Sequence, residues 1–321
     1  MFNMSNKELE PKESSPDLSE AERVLGSMPS FEDFRRGVEE KNGIVSGLDK
    51  IAEKYRYGEE LRETLEMIVP QIVDYFDDSE VVLKVLDNCP IFMVEPGKNL
   101  SEAANEYFGT NEELPTIASG GASIIPRITE DGRIEVKKGI VLRSDHEGSL
   151  QTLVHEICHQ VASVNKEPQL EPDGRIRIDI GLSSEYYGVD ENGEMRMVES
   201  KRDFLEEMMN AYDTEKIMKG IKGDSFESNE YGILRKIAHA CSADAIQKLE
   251  RLRIHGDNTG DSVNYEKLDD VSLALDNIMN IPHKIALSKE MAGGDREKAK
   301  IIRQEMDQRN YEEAVNGLNG F

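Results

Sequence analysis

Two histidines and a glutamate near the middle of the chain have the types and the spacing needed for metal-dependent chemistry. His155, Glu156 and His159 form the pattern HExxH, in a chain of 321 residues that has only 6 histidines. Residues four apart lie on the same face of an α-helix, so both imidazoles can reach one metal ion. Glu156 follows the first histidine directly and can act as general base on a water at that ion. The pattern predicts a metal-dependent active site carried by a helix.

The residues around this pattern predict an amphipathic helix. Its apolar residues recur at helical spacing and form one stripe: Leu150, Leu153, Val154, Ile157, Cys158, Val161 and Val164. On a helical projection His155 and His159 lie on the opposite side, and Cys158 points into the stripe as a small buried residue. Ser144 and Glu147 have the spacing of a capping box. We therefore expect one face to pack in a core while the other presents the histidines.

Composition limits the partners that this chain is expected to bind. It has 39 Lys and Arg against 64 Asp and Glu, a net charge of −25. Nucleic acids and anionic membranes bind cationic surfaces, so we expect neither as a partner. Residues 1–30 contain no apolar segment typical of a signal peptide, and no run is long enough to span a membrane. The 3 cysteines are far apart and odd in number, which favours a reducing, cytoplasmic location without disulfides.

The pattern along the chain predicts an α+β protein with four regions. Residues 1–30 are polar and are expected to form a disordered tail. Residues 31–87 have helical periodicity and form an N-terminal helical region, and residues 223–321 form a C-terminal helical region. Between them, residues 88–222 combine strands, the HExxH helix and a second helix. This central region is the predicted catalytic core.

Strands are predicted on both sides of the HExxH helix. Upstream, strands are expected at 91–94, 123–128, 133–136 and 139–142, with a short helix at 100–108 and a turn at 130–132. Downstream, 175–182 and 194–198 are predicted to pair as a β-hairpin, followed by a helix from about Glu199 to Met218. An exposed sheet edge beside the helix could pair with an extended peptide.

Two imidazoles do not complete a catalytic zinc site, which normally has three protein ligands. The metzincin continuation is excluded because Ala162 and Asn165 replace its glycine and its third histidine. The segment 147–150 resembles the metal-binding segment of peptide deformylases, but Ser149 replaces its cysteine. A glutamate on a later helix remains, and both Glu206 and Glu207 are open. On a helical projection Glu207 borders the apolar arc, whereas Glu206 points further toward solvent.

The two helices together resemble those of the gluzincin metallopeptidases. HEICH at 155–159 is followed, after a strand-rich insert, by Leu-Glu-Glu-Met-Met-Asn-Ala-Tyr at 205–212. The second helix of that family commonly reads Leu-Asn-Glu-Gly-x-x-x-Tyr, with its glutamate as the third zinc ligand. Glu207 and Tyr212 keep this spacing, while Met208 replaces the frequent glycine and leaves Glu206 as an alternative. The resemblance covers about residues 118 to 218.

This resemblance implies a zincin-like core with one catalytic Zn²⁺ held by His155, His159 and Glu207. It implies hydrolysis of a peptide or protein substrate by an activated water, with Glu156 as general base. The family often stabilises the oxyanion with a Tyr or His. The sequence does not choose among five such residues: Tyr186, Tyr187, Tyr212, Tyr231 and His239.

Two other hypotheses remain at this stage. The chain could be a zincin-fold module that binds or regulates without catalysis, although an intact Glu156 disfavours this. It could also be a helical structural protein with a chance HExxH. The sequence does not indicate the cleavage specificity, the choice between endo- and exopeptidase action, the role of the flanking helices or the oligomeric state.

Overall fold

A computed structural model describes residues 31–108, 120–129, 131–144, 149–164, 166–191, 195–228, 231–256 and 263–321. For residues 31–40 and Ser123 it describes the backbone only. The predicted tail at 1–30 and Glu147 of the predicted capping box lie outside the described residues.

The strands upstream of the HExxH helix form a three-stranded sheet. It contains β1 (Ile91–Val94), β2 (Gly120–Ile128) and β3 (Ile134–Arg143) in the order β1-β3-β2. β1 is parallel to the central β3, and β2 is antiparallel to it. The predicted strand at 91–94 is confirmed, and the two strands predicted at 133–136 and 139–142 are one continuous strand. β2 is an edge strand, which is where a proline such as Pro126 is tolerated because it has no N–H to donate.

The strands downstream of the HExxH helix form a second, four-stranded antiparallel sheet. Its order is β4 (Gln169–Leu170), β5 (Ile176–Ile180), β6 (Ser183–Val189) and β7 (Met195–Lys201). The predicted hairpin between 175–182 and 194–198 is wrong, because β6 lies between those strands and pairs with both. Gly181 and Leu182, the last two residues of the run predicted as one strand, form a tight turn that leads into β6, a strand that was not predicted.

Helices make up most of the rest of the described chain. α1 (Phe31–Tyr55), α2 (Glu59–Phe76) and α3 (Ser79–Asn88) precede the first sheet, and α4 (Leu100–Phe108) lies between β1 and β2, as predicted. α5 (Ser149–Ser163) carries HExxH. α6 (Asp203–Lys222) carries Glu206 and Glu207 and starts about four residues later than predicted, because β7 extends to Lys201. The remaining helices are α7 (Gly232–Ala240), α8 (Ala243–His255), α9 (Tyr265–Met279), α10 (Ile281–Met291) and α11 (Arg296–Asn319).

Two large hydrophobic clusters meet at α6. The first joins the N-terminal helices, β1 and β3 to the apolar stripe of α5, and it includes Ile217 and Met218 at the end of α6. The second joins α7, α8, α9 and α11 to the start of α6, through Leu205, Met208 and Met209. α6 is therefore buried on several sides and has little surface left for solvent. The fold is mixed α+β with two small sheets, and the division into four regions stays a prediction.

Among the described residues, no helix is both long enough and apolar enough to cross a membrane.

Candidate metal centre

The histidines of α5 face the glutamates of α6 across the contact between the two helices. His155 Nε2 lies 3.1 Å from Glu207 Oε2, and His159 Nε2 lies 3.4 Å from Glu207 Oε1. One ligand atom from each of His155, His159 and Glu207 can be chosen so that all three lie within 4.8 Å of one another. Two imidazole nitrogens and a carboxylate oxygen are a donor set that a divalent transition metal accepts. This arrangement could hold a metal ion.

Electrostatics at this cluster favour a positive charge. Burial opposes ionisation of Glu207, but His159 and His155 outweigh it and hold the pKa of Glu207 below its usual range. Burial alone would lower the pKa of His159, yet the carboxylates of Glu207 and Glu206 raise it to about 10. The two carboxylates therefore favour a positive charge at His159, which either a proton or a metal ion can supply. A bound cation would replace that proton.

Glu156 is buried beside the cluster and is held by the first sheet. Its Oε2 accepts a hydrogen bond from the backbone N–H of Ala122 on β2, at 3.0 Å. Burial raises the pKa of Glu156, although the neighbouring imidazoles of His155 and His159 act in the opposite direction. A carboxylate whose pKa is raised toward neutrality is suited to proton transfer. The tether to Ala122 also fixes the side chain between the helix and an edge strand.

Glu206 does not point to solvent as the helical projection predicted. It is 2% exposed and is bound by Arg253 of α8, whose Nη2 and Nε lie 2.6 and 2.8 Å from Glu206 Oε1. Burial disfavours its ionisation, but Arg253 and His159 lower the pKa of Glu206 to about 2. The projection failed because the residue that covers Glu206 comes from a helix 47 positions later. With its oxygens engaged by Arg253, Glu206 is not part of the three-residue cluster.

Glu206 instead lies behind the cluster, next to His159. Its Oε1 is 3.3 Å from Nδ1 of His159, the ring nitrogen that faces away from Glu207. That Nδ1 is buried and makes no hydrogen bond to any residue that the structure describes. Histidines that bind metals through one ring nitrogen commonly face a carboxylate with the other, which fixes the orientation of the ring. Glu206 is placed to orient His159.

A buried polar network extends from Glu206 along α6. Arg253 Nη2 donates to Asn210 Oδ1 at 2.7 Å, and Asn210 Nδ2 donates to the backbone carbonyl of His155 at 2.9 Å. Arg253 Nη1 also pairs with Asp213, which accepts a hydrogen bond from Tyr75 of α2 at 2.7 Å. The network therefore ties three helices to the backbone of the HExxH segment.

Sequence reasoning missed Arg253, Asn210 and Asp213, although two signals were present. Glu206, Asn210 and Asp213 follow one another at intervals of four and three, so they form a polar stripe along one face of α6. Arg253 falls seven positions after Ile246, on the apolar stripe of α8 that also contains Leu249. A cation at a core position next to a carboxylate stripe predicts a buried pair.

The cluster opens into a cavity of about 370 Å³ between the two sheets and α6. Two of the five residues proposed for oxyanion stabilisation line it, Tyr187 and Tyr231. The ring of Tyr231 stacks on His155, with centroids 5.6 Å apart and planes 13° apart. The other three do not line this cavity: Tyr186, Tyr212 and His239. Tyr212 and His239 contact each other instead, with ring centroids 5.1 Å apart.

The turn between β5 and β6 supports Glu206 from the side opposite Arg253. Leu182 N donates to Glu206 Oε2 at 2.8 Å. Gly181 has φ +57°, and a Cβ at this position would lie 1.9 Å from Glu206 Oε2. Only glycine allows the turn to come this close to the carboxylate in this backbone conformation.

Gly181→Ala is expected to lower the free energy of unfolding by about 3 kcal/mol or more, the sum of a left-handed backbone penalty and a lost buried hydrogen bond. Urea denaturation at neutral pH measures it. Gly174→Ala is the matched control, since Gly174 has φ +86° but no described atom within 4 Å of its added Cβ. This control substitution should lower the free energy of unfolding by only about 1–2 kcal/mol. Equal costs for the two variants would contradict a close approach of Gly181 to Glu206.

Comparison of the chain with family models, with curated proteins and with solved structures found no match in any of the three.

Proposed function

We propose that this protein is a zinc-dependent metallopeptidase of the gluzincin type. In this proposal His155, His159 and Glu207 bind one Zn²⁺, and Glu156 is the general base. The observation that carries it is the convergence of two imidazoles and a carboxylate, with ligand atoms within 4.8 Å of one another, beside a buried glutamate in a cavity. The zincin-like character of the core is part of the same proposal.

The residues present fit a zinc ion by the chemistry of their donors. Zinc readily accepts two imidazole nitrogens and a carboxylate oxygen, and a catalytic site keeps a further position open for water or substrate. Glu207 is held ionised, and the cluster favours a cation. When bound, the ion would supply Lewis-acid chemistry that activates a water and polarises a carbonyl.

The side chains around the cluster have distinct roles in the proposed reaction. Glu156 takes the proton of the attacking water and delivers it to the leaving amine. Glu206 orients the ring of His159, and Asn210 holds the backbone of His155 in place. Tyr231 and Tyr187 line the cavity and are the two residues proposed to stabilise the oxyanion.

The edge of β2 supports a peptide as the substrate. Among the described residues, β2 pairs with β3 on one side only, and its Gly121, Ala122 and Ile124 line the cavity beside Glu156. An extended peptide could add to this edge as a strand and lie across the cluster. Two edge groups already have partners, since Ala122 N donates to Glu156 and Ile124 O accepts from the hydroxyl of Tyr187. A peptide bound along this edge would therefore replace Glu156 and Tyr187 as the hydrogen-bond partners of these two backbone groups.

Metal content tests the ligand set most directly. Purified wild-type protein is expected to contain close to one zinc per chain by elemental mass spectrometry. His155→Ala and Glu207→Gln should lose it because each removes a ligand. Glu206→Gln is the matched control for Glu207→Gln, with the same change one position away. It should keep its zinc, because loss of a residue that only orients a ligand weakens binding by about 10–100-fold.

The possible outcomes separate the hypotheses. Loss of zinc from Glu206→Gln but not from Glu207→Gln would move the third ligand by one residue. A wild type that contains no zinc and takes up none would overturn the metal site and leave a chance HExxH. Stoichiometric zinc without hydrolysis of any member of a broad peptide library would favour a binding module.

A further inference from the structure

A second cavity, of about 690 Å³, lies on the other side of the Gly181–Leu182 turn from the candidate metal centre. It is formed by β5, β6, the end of α8 and the start of α9. Three cationic residues line it, Lys166, Arg177 and Arg202, and so do two carboxylates, Glu167 and Asp179. In a chain with a net charge of −25, such a group of cations around one cavity needs an explanation.

Two of these cations are poorly neutralised. Lys166 Nζ donates to the carbonyl of Gly181, and no carboxylate lies within 4.0 Å of it in the described parts of the chain. Burial lowers the pKa of Lys166, although the carboxylates of Glu206 and Asp179 act in the opposite direction from a greater distance. Arg177, by contrast, forms a two-point pair with Asp179 at 2.9 and 2.7 Å. The spare positive charge is therefore that of Lys166 and Arg202.

Arg202 is only partly paired and has a strained backbone. Its Nη2 lies 3.3 Å from Ser184 Oγ, and its Nη1 lies 3.6 Å from the exposed carboxylate of Asp269. Its Nε is buried and has no hydrogen-bond partner among the described residues. The residue has φ +62°, a conformation that costs energy for a side chain of this size. Strain of this kind is retained where it positions a side chain for use.

We propose that this cavity is a binding site for a small ligand that carries an oxyanion, a phosphate or a carboxylate, held by Lys166 and Arg202. Guanidinium and ammonium groups bind these anions through charge-assisted hydrogen bonds. The volume is within the range of sites for small metabolites. The site stands independently of the proposed peptidase function.

The same turn connects this cavity with the candidate metal centre. Gly181 O accepts from Lys166, and Leu182 N donates to Glu206, so the two ends of one turn face the two sites. Ser183 lines both cavities. An anion that binds Lys166 would break the hydrogen bond from Lys166 to Gly181 O, and so would change the support of the turn that holds Glu206. Occupancy of one site is therefore expected to change affinity at the other, by the reciprocity of linkage.

The site is tested by isothermal titration calorimetry with inorganic phosphate and, separately, with acetate. Chloride keeps the ionic strength constant. The full-length protein is used as purified and after chelator treatment, so that an anion bound to a metal is recognised. Wild type is expected to bind one anion per chain in both forms. Lys166→Gln and Arg202→Gln should each weaken binding by about tenfold or more, the loss expected for one charge-assisted hydrogen bond.

Arg196→Gln is the matched control, because it removes the same charge from an exposed position on β7 that does not line the cavity. It should bind the anion as wild type does. Arg202→Lys keeps the charge and should restore part of the affinity lost in Arg202→Gln. Phosphate and acetate compared at equal concentration identify which oxyanion the site prefers. Absence of binding to wild type, or equal binding by the Lys166, Arg202 and Arg196 variants, would overturn the proposal.

Discussion

Glu156→Gln is expected to lower the rate of peptide hydrolysis by about 10²–10⁴-fold while the zinc stays bound. Glutamine keeps the size of the side chain and its carbonyl can still accept from Ala122 N, but it cannot accept the proton of a water. Because Glu156 is not among the three residues of the metal cluster, the metal content should equal that of wild type. The rate is measured with a mixed peptide library by mass spectrometry, and the metal on the same preparation.

Glu102→Gln serves as the control, since Glu102 is exposed on α4 and does not line the cavity. It should keep the wild-type rate. Hydrolysis by Glu156→Gln at a rate close to that of wild type, with zinc still bound, would remove Glu156 as general base. The ligand assignment would then survive, and the base would have to be sought among the other carboxylates of the cavity.

Arg253→Met is expected to lower the free energy of unfolding by about 3–5 kcal/mol at neutral pH. The substitution leaves two buried carboxylates, Glu206 and Asp213, without the cation that compensates them. Because the methionine fills much of the space left by the arginine, the lost stability is due to the missing charge and not to a cavity. Urea denaturation measures it, and Arg251→Met, at an exposed position of the same helix, should change stability by no more than about 0.5 kcal/mol.

The cost of Arg253→Met should grow with pH. In the wild type, burial raises the pKa of Asp213 to about 6, while Arg253 and His159 overcome burial and hold that of Glu206 at about 2. Without Arg253 both folded-state pKa values rise above those of the unfolded chain, roughly 3.9 and 4.3. A carboxyl group whose pKa is higher in the folded state than in the unfolded state is compatible with the fold below its unfolded-state pKa. The folded state loses stability as pH rises through the folded-state pKa. Arg253→Met should therefore be less destabilised at pH 5 than at pH 8.

An equal loss of stability in Arg253→Met and Arg251→Met would show that the network contributes nothing to the fold. A large loss that is the same at pH 5 and pH 8 would assign the effect to packing and not to unpaired carboxylates.

Local patterns predicted the elements that can be recognised from their own residues. The strand at 91–94 and the helix at 100–108 are confirmed with their bounds, and the apolar stripe of α5 packs in a core as expected. These features follow from periodicity and need no partner to be identified. The β5–β6 turn was missed because Gly181 lies inside a run that alternates like a single strand. The strand β6, which follows this turn and pairs with both β5 and β7, was not predicted.

By itself, the sequence determined which groups are able to do chemistry here: HExxH on a helix, and two adjacent glutamates on a later one. The tertiary structure decided how those glutamates differ. Glu207 faces His155 and His159, whereas Glu206 is turned toward Arg253. The physical reason is that a buried carboxylate needs a cation, and the cation comes from α8, 47 residues away along the chain. The spacing within α6 marks a polar stripe but does not say which helix covers it, so the packing of α8 against α6 assigned the two roles.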